Sequence, residues 1–353
     1  MANKRREKCY SIFDYEKQAS EKLSEVARGF FDGGSDRKET SRNNVVAFSR
    51  YKLRPRHMRD VSSIDMRQNV LGCDIEFPII VAPMAHQKMA HRDGENATAS
   101  ACADMGTVFT FAPWTTTTME ELMSNSRTGT KWLQLYISKD RTIIADIVHK
   151  AERNGFRAIL ATIDIKVLPN RLDDKINQFE FPVPEHFRSY NYENVSFINS
   201  SLSWEDIDWL KSITSLPVAV KGVMTREDAV EAVQHGVDGI VVSNHGGRAL
   251  DGVQASIDAL SEVIEAVKHT GIDILVDGGI RMGTDVLKAL SLGAKAVLIG
   301  RPAIWGLAHD GENGVKSVLS ILKDELRTSM GLAGCPSLAD INQSLIILPK
   351  SSL

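Results

Sequence analysis

The sequence predicts an α/β protein, a (β/α)8 TIM barrel with an N-terminal helical extension and a long loop after the fourth strand. Three observations carry this. Two segments, LPVAVKGVMTREDAVEAVQHGVDGIVVSNHGG from Leu216 and IDILVDGGIRMGTDVLKALSLGAKAVLIGRP from Ile272, repeat one order: apolar run, polar or glycine turn, amphipathic helix, glycine, apolar run. The short runs at 218–220, 240–242 and 296–299 lack polar alternation, as parallel strands covered on both faces do. From Phe77 to about Met330 the chain also has roughly the 250 residues typical of such a barrel.

Taken in order, residues 1–76 form an extension that packs on the barrel. It holds a helix over 14–31 and then a basic, proline-broken connection, KLRPRHMRD, that closes the barrel bottom or approaches its mouth. Residues 77–353 form the barrel, with strands at 79–82, 107–111, 132–136, 158–163, 217–221, 239–243, 274–277 and 296–299. The clearest helix runs over 141–154, with Ile143, Ile144, Ile147, Val148 and Ala151 on one face and Gly155 closing it. In the first repeat, Thr225 and Asp228 make a capping-box pattern, Ala229, Val230 and Val233 mark the buried face, and Gly236 stands at the C-cap. In the second, Val286, Leu287 and Leu290 play that part before Gly293. The stretch 171–201 is long, polar and proline-punctuated, which reads as a mobile flap.

Composition narrows the function. Forty-two Lys and Arg against 45 Asp and Glu leave a formal charge of -3, so no overall cationic field holds nucleic acid or an anionic membrane. Cys9, Cys73, Cys102 and Cys335 are scattered and form no metal-binding spacing or disulfide framework, which points to a reducing compartment and no metal. The N-terminus lacks the apolar run of a secretory signal, and the most apolar stretch, FPIIVAPMA, is about half the length needed to span a bilayer. The C-terminal Ser-Ser-Leu resembles the Ser-Lys-Leu peroxisomal address but lacks its basic middle residue; without that address the expectation is cytosol.

In a barrel the chemistry belongs in the loops after the strand C-termini. Those positions hold Ala82-Pro83-Met84-Ala85, Ala112-Pro113-Trp114, Gln134 with Tyr136, Thr162 with Asp164, Lys221, Ser243-Asn244-His245-Gly246-Gly247-Arg248, Asp277-Gly278-Gly279-Ile280-Arg281 and Gly300-Arg301. Singly, each has a bland reading as turn, surface or core residue. Gathered at one end of one barrel, they describe a site. The last two loops suit a phosphate: glycines let the backbone approach an anion, and Arg281 or Arg301 supplies a charge-assisted fork. His245 and Arg248, three residues apart, pair a base with a cation, as removal of a proton from a carboxylate-bearing substrate requires.

The motifs SNHGGRALD, VDGGIRMGTDVLKAL, LIGRP, LPVAVKGV, WLQLY and QKMAHRDGE resemble those of the FMN-dependent 2-hydroxy-acid oxidase family, which includes glycolate oxidase, and the likeness runs from about Asp14 to Gln343. It implies FMN as cofactor, a 2-hydroxy acid and O2 as substrates, peroxide as product and a homo-oligomer, a tetramer in that family. By the same resemblance His245 is the catalytic base and Asp164 the carboxylate that orients it. Arg248 and Arg171 clamp the substrate carboxylate, Tyr136 bonds the substrate hydroxyl, and Trp114 walls the pocket. Lys221 stands beside the flavin ring, where a cation stabilises the reduced form. Pro83, Met84, Ala85, Ala112, Gln134, Thr162 and Ser243 contact the flavin, and Asp277, Gly278, Gly279, Arg281, Gly300 and Arg301 form the ribityl and phosphate site.

The departures bear on substrate. Phe30 stands where glycolate oxidases have a substrate-binding tyrosine, so a hydrogen bond is lost and the pocket becomes more apolar. Met84 and Ala112 replace threonine and serine, Ile165-Lys166 replaces Thr-Pro, and Pro169 replaces a glycine before Arg171. A medium or longer 2-hydroxy acid is favoured over glycolate. A dehydrogenase with a non-oxygen acceptor and a non-catalytic flavin-binding protein are the alternatives.

Overall fold

The computed structural model describes residues 8–180 and 198–349. Helices α1 (Ile12–Lys22), α2 (Glu25–Asp32) and α3 (Glu39–Ala47) open the chain, followed by β1 (Lys52–Leu53), β2 (Gln68–Val70) and β3 (Cys73–Ile75). The single helix expected over 14–31 is therefore two. Leu23 takes extended backbone angles, and the Ser24 hydroxyl accepts from Ala27 N at 3.2 Å to start α2 as a fresh helix.

Eight strands then close a barrel: β4 (Ile79–Val81), β5 (Phe109–Phe111), β6 (Lys131–Leu135), β7 (Ile159–Thr162), β8 (Val218–Val223), β9 (Gly239–Val242), β10 (Asp273–Asp277) and β11 (Ala296–Ile299). Every neighbouring pair is parallel, and β11 returns to β4 with Ile299 opposite Val81. The predicted fold class and strand order are those observed. All four residues of β9 and of β11 are buried, because helices cover their outer face and other strands their inner one.

The barrel has a floor that sequence patterning did not reveal. The antiparallel hairpin β2–β3 presents Val70, Leu71, Cys73 and Ile75 to the barrel interior, where they join Ile80, Trp132, Leu160, Leu275 and Leu298. Leu71 N donates to Asp273 Oδ2 at 2.8 Å, which fixes the hairpin to the start of β10. The opposite, C-terminal end is left as the open mouth.

Between strands lie α4 (Gly94–Met105), α5 (Met119–Asn125), α6 (Arg141–Arg153), α7 (Leu172–Ile176), α8 (Trp204–Ser212), α9 (Arg226–Gln234), α10 (Ser256–Val267), α11 (Gly283–Leu292) and α12 (Arg301–Ala333). In α6 the five apolar residues named from the sequence are all buried, as are Val286, Leu287 and Leu290 of α11. In α9 the buried residues are Ala229 and Ala232, while Val230 is 39% exposed, so the buried stripe is turned and narrower than the sequence reading had it. Asp228 N donates to Thr225 Oγ1 at 3.2 Å, the N-cap half of the expected box. The connection KLRPRHMRD neither plugs the floor nor enters the mouth. It pairs β1 with β12 (Ile346–Ile347), and Arg56 N and Arg59 Nη1 bond to Ala333 O and Gly334 O at the end of α12. Much of the expected flap, 181–197, and the Ser-Ser-Leu terminus lie outside the described residues.

The extension is docked at the mouth. Asp251 accepts from Arg37 N, Glu39 N and Thr40 N at 3.1, 3.2 and 2.8 Å, so an acid from the loop after β9 caps α3. No helix among the described residues is long and apolar enough to cross a membrane.

Candidate active site

The loop after β9 turns through three consecutive left-handed residues, His245, Gly246 and Gly247, with φ of 58, 64 and 75°. Glycine is required at 247, where a Cβ would lie 2.4 Å from Ser41 N. A histidine in this conformation carries strain that its surroundings must offset. They do so through a buried amide pair: Asn44 Nδ2 donates to Asn244 Oδ1 and Asn244 Nδ2 to Asn44 Oδ1, both at 2.8 Å. Ser256 N and Gly247 N bond to the same two carbonyl oxygens, at 3.2 and 3.1 Å.

The imidazole of His245 faces the mouth, and its Nδ1 lies 2.9 Å from Asp164 Oδ1. The side chains are 23% and 10% exposed. Burial pushes the His245 pKa below the usual histidine range; Asp164 opposes that shift and Lys221 adds to it. Burial alone would raise Asp164, but the charge of His245, its hydrogen bond and Lys221 together hold the carboxyl below its ordinary value.

Asp164 owes its place to a bulge. The β8–β9 register shifts between Lys221 and Val223, and Gly222 has φ of +117°. A Cβ at 222 would sit 2.7 Å from Asp164 Cβ, so the absent side chain is the seat of the carboxylate. Lys221, one residue earlier, donates to Ser243 Oγ at 2.9 Å and pairs with Asp277 Oδ2 at 3.2 Å. Burial disfavours its charge, but Asp277 and Asp164 outweigh that and raise its pKa. Beside it, Gln134 Nε2 donates to Thr162 Oγ1 at 2.9 Å.

On the extension side, Arg248 Nη1 donates to the carbonyls of Phe30 and Gly33, and its guanidinium stands 5.2 Å from the Phe30 ring centre. Arg171, at the N-cap of α7, stands 5.9 Å from the same ring and pairs with Asp174. Burial, Arg171 and Arg301 push Arg248 down to about 9, so it stays charged at neutral pH. Phe30 in turn packs on Phe179, His86 and Phe31 at 4.8, 5.8 and 5.0 Å. Burial and Asp164 raise the Tyr136 phenol, which keeps it a donor.

At the far end, Gly278 and Gly279 take φ of 96 and 85°. A Cβ on Gly279 would lie 1.9 Å from Asn44 O, so this glycine is demanded by the docked extension; an approaching anion is not needed to explain it. Arg281 is buried, stacked 4.6 Å over Trp305, with Nη1 on the Ile280 carbonyl at 2.9 Å. Arg301 differs from the free fork expected. It donates to Phe31 O, Gly246 O and Gly33 O at 3.0, 2.9 and 2.7 Å, stapling the histidine loop to the extension.

One cavity at the mouth gathers these groups. Its lining includes Phe30, Trp114, Tyr136, Arg171, His245 and Arg248, then Pro83, Met84, Ala85, Ala112, Gln134, Thr162 and Lys221, and finally Asp277, Gly278, Gly279, Arg281, Gly300 and Arg301. Asp164 and Ser243 are absent from the lining: Asp164 stands behind His245, and the fully buried Ser243 hydroxyl accepts from both Lys221 Nζ and His245 N rather than facing a ligand. Sequence reasoning missed Asn44 as the partner of Asn244, missed Ser256 and Gly222, and missed the lining residues Phe31 and Pro302. Of these, Gly222 alone had a signal, a glycine interrupting a strand directly after a site lysine.

The cavity suits an elongated group with an anionic end. Asp277 Oδ1 is buried without a hydrogen-bond partner among the described residues, ready to accept from a hydroxyl-bearing ligand, and Arg281 with the N-terminus of α12 offers charge and backbone N–H at one end. Lys221 and Gln134 offer donors nearer the middle. These residues fit FMN. Among the described residues no group of three His, Cys, Asp or Glu could hold a metal ion.

Comparison with known proteins agrees with this geometry. The FMN-dependent dehydrogenase family model matches residues 19–348. The chain is 46% identical over 354 residues to 2-hydroxyacid oxidase 1 of Mus musculus, covering 95% of each. It is 44% identical over 347 residues to a peroxisomal (S)-2-hydroxyacid oxidase of Arabidopsis thaliana, again covering 95% of each. The solved structure of mandelate oxidase superposes with a TM-score of 0.88 at 38% identity, covering 94% of this chain and 96% of that one.

Proposed function

Because the chain belongs to the FMN-dependent dehydrogenase family and matches 2-hydroxyacid oxidases over 95% of its length, we propose that it is an FMN-dependent 2-hydroxy-acid oxidase that converts an (S)-2-hydroxy acid and O2 to a 2-oxo acid and H2O2, favouring medium or longer chains over glycolate. The carrying observation is the His245–Asp164 pair set across one cavity from Arg248 and Arg171.

The substrate carboxylate docks on Arg248 and Arg171, whose guanidiniums reach the cavity wall from two different loops. Tyr136 donates to the substrate hydroxyl. With Nδ1–H of His245 directed at Asp164, the tautomer follows from that bond, and Nε2 is the nitrogen that accepts the substrate proton. Asp164 then stabilises the imidazolium. FMN, when bound, supplies the two-electron acceptor. Arg281 and the N-terminus of α12 would hold its phosphate, with Arg301 keeping the wall in place, and Lys221 would place a cation beside the reduced ring. The apolar stack of Phe30, Phe31 and Phe179 supports the preference for a longer chain. A peroxisomal site of action is proposed from the Arabidopsis relative that carries that location in its name, and a homotetramer from the family likeness.

The test is a panel of (S)-2-hydroxy acids of rising chain length, with dissolved O2 as sole acceptor and peroxide as readout. Rising kcat/KM beyond glycolate is expected. A maximum at glycolate overturns the chain-length preference, turnover only with an added non-oxygen acceptor overturns the oxidase in favour of a dehydrogenase, and no turnover with either leaves a flavin-binding protein. Sedimentation of the loaded protein reads the tetramer.

A further inference from the structure

Arg171 caps α7, and three residues on Asp174 meets it: Arg171 Nε and Asp174 Oδ2 are 3.1 Å apart, with side chains only 13% and 12% exposed. Arg171 and Arg248 both approach the ring of Phe30, so two guanidiniums share one aromatic neighbour. Among the described residues, the hydrogen bonds of Arg248 go to the backbone carbonyls of Phe30, Phe31 and Gly33, and no carboxylate lies within ion-pair distance of it. Both arginines line the cavity and Asp174 does not. Among the described residues the wall at Phe30 thus carries two cations with one half-buried anion behind it, while Arg301, whose field also reaches Arg248, has Asp32, Glu16 and Asp277 as its own counter-charges.

Like charges held this close in a partly dry site repel, and each needs a counter-charge. Asp174 supplies one. A docking carboxylate supplies the other, and the wall is then balanced. We propose that Asp174 determines charge selectivity: by cancelling one of the two guanidinium charges at the wall, it makes the cavity accept an acid with one carboxylate and reject one with two. Asp174 reaches no ligand in the cavity itself and acts through Arg171, as a positioning residue. The inference rests on the hydroxy-acid reading above, because it takes the Arg171 and Arg248 wall as the carboxylate site.

The test uses the FMN-loaded full chain titrated with butyrate and with succinate, which have equal carbon number and one or two carboxylates. Neither carries a 2-hydroxy group, so binding is read from the flavin absorbance without turnover. The wild type should bind butyrate more tightly. Asp174→Asn and Asp174→Ala should each shift the succinate-to-butyrate affinity ratio toward succinate by on the order of tenfold, whereas Asp174→Glu keeps the wild-type ratio. A merely structural role weakens both ligands together and leaves the ratio unmoved; an unmoved ratio in both neutral variants overturns the proposal. If the wild type oxidises no 2-hydroxy acid yet the ratio shifts, the oxidase reading falls and charge selection by Asp174 stands. If it oxidises them and the ratio holds, Asp174 alone is reassigned.

Discussion

His245 Nδ1 and Asp164 Oδ1 stand 2.9 Å apart, and only the histidine faces the cavity. The carboxylate therefore acts on substrate through the imidazole, by setting its tautomer and stabilising its charged form. Asp164→Asn reverses the hydrogen-bonding character of that partner and should lower kcat by about 10²–10⁴. His245→Gln should nearly abolish turnover while the protein stays yellow. Loss of bound flavin in His245→Gln would instead make this loop part of the cofactor site.

The pH profile follows from the direction of the shift at His245. The neutral imidazole is the active form, and burial holds its pKa below the ordinary 6.5. Activity should therefore persist below pH 6.5 and fall only on further acidification, as the base takes up its proton. Measured kcat/KM against pH gives the inflection. An inflection above 6.5 would show that Asp164 outweighs burial.

Gly222→Ala tests the seat of the carboxylate. The substitution places a Cβ 2.7 Å from Asp164 Cβ at a φ of +117°, so Asp164 or the bulge must move. The cost should be about 1–3 kcal/mol of stability, with kcat falling more than this loss of folded protein explains. Denaturant midpoints beside kcat, measured on the same preparation, separate the two effects.

Much of this architecture was legible in the chain because parallel strands and their covering helices leave local marks. Runs such as AVLI at β11, and the helix stops at Gly155 and Gly293, needed only periodicity and turn chemistry. Site positions were legible for a related reason: in a barrel, chemistry sits where strands end. What stayed hidden is contact between residues far apart in sequence. Asn44 lies 200 residues from Asn244, and nothing in NNVVAF announces that partner. The floor hairpin is too short for a periodicity signal. Gly279 was legible as a glycine but not in its cause, since the carbonyl it avoids belongs to α3.

The amide pair makes a second prediction about stability. Removing one member leaves the other buried without its partner, at about 1–3 kcal/mol for each unsatisfied group. Asn44→Ala and Asn244→Ala should each destabilise strongly, and the double variant by less than their sum, giving a coupling of about 0.5–3 kcal/mol. Additive losses would mean that Ser256 N and Gly247 N, not the reciprocal bonds, carry the attachment of the loop to the extension.

His86 supplies the acid limit of the fold. It is fully buried against Phe30 and Phe179, and burial pushes its pKa from 6.5 to about 4, with Glu95 opposing. Between those values the unfolded chain takes up a proton that the folded chain refuses. Stability therefore drops as pH falls through 6.5, and the loss is complete below 4, amounting to about 3 kcal/mol. His86→Asn keeps a residue that tolerates the left-handed φ of 56° but has nothing to titrate there. The variant should be less stable than the wild type at pH 7, and the gap should narrow by about that amount on titration to pH 4. Urea midpoints across the window read the gap. If it stays constant, His86 is protonated in the fold and its aromatic pocket is more open to water than its complete burial implies.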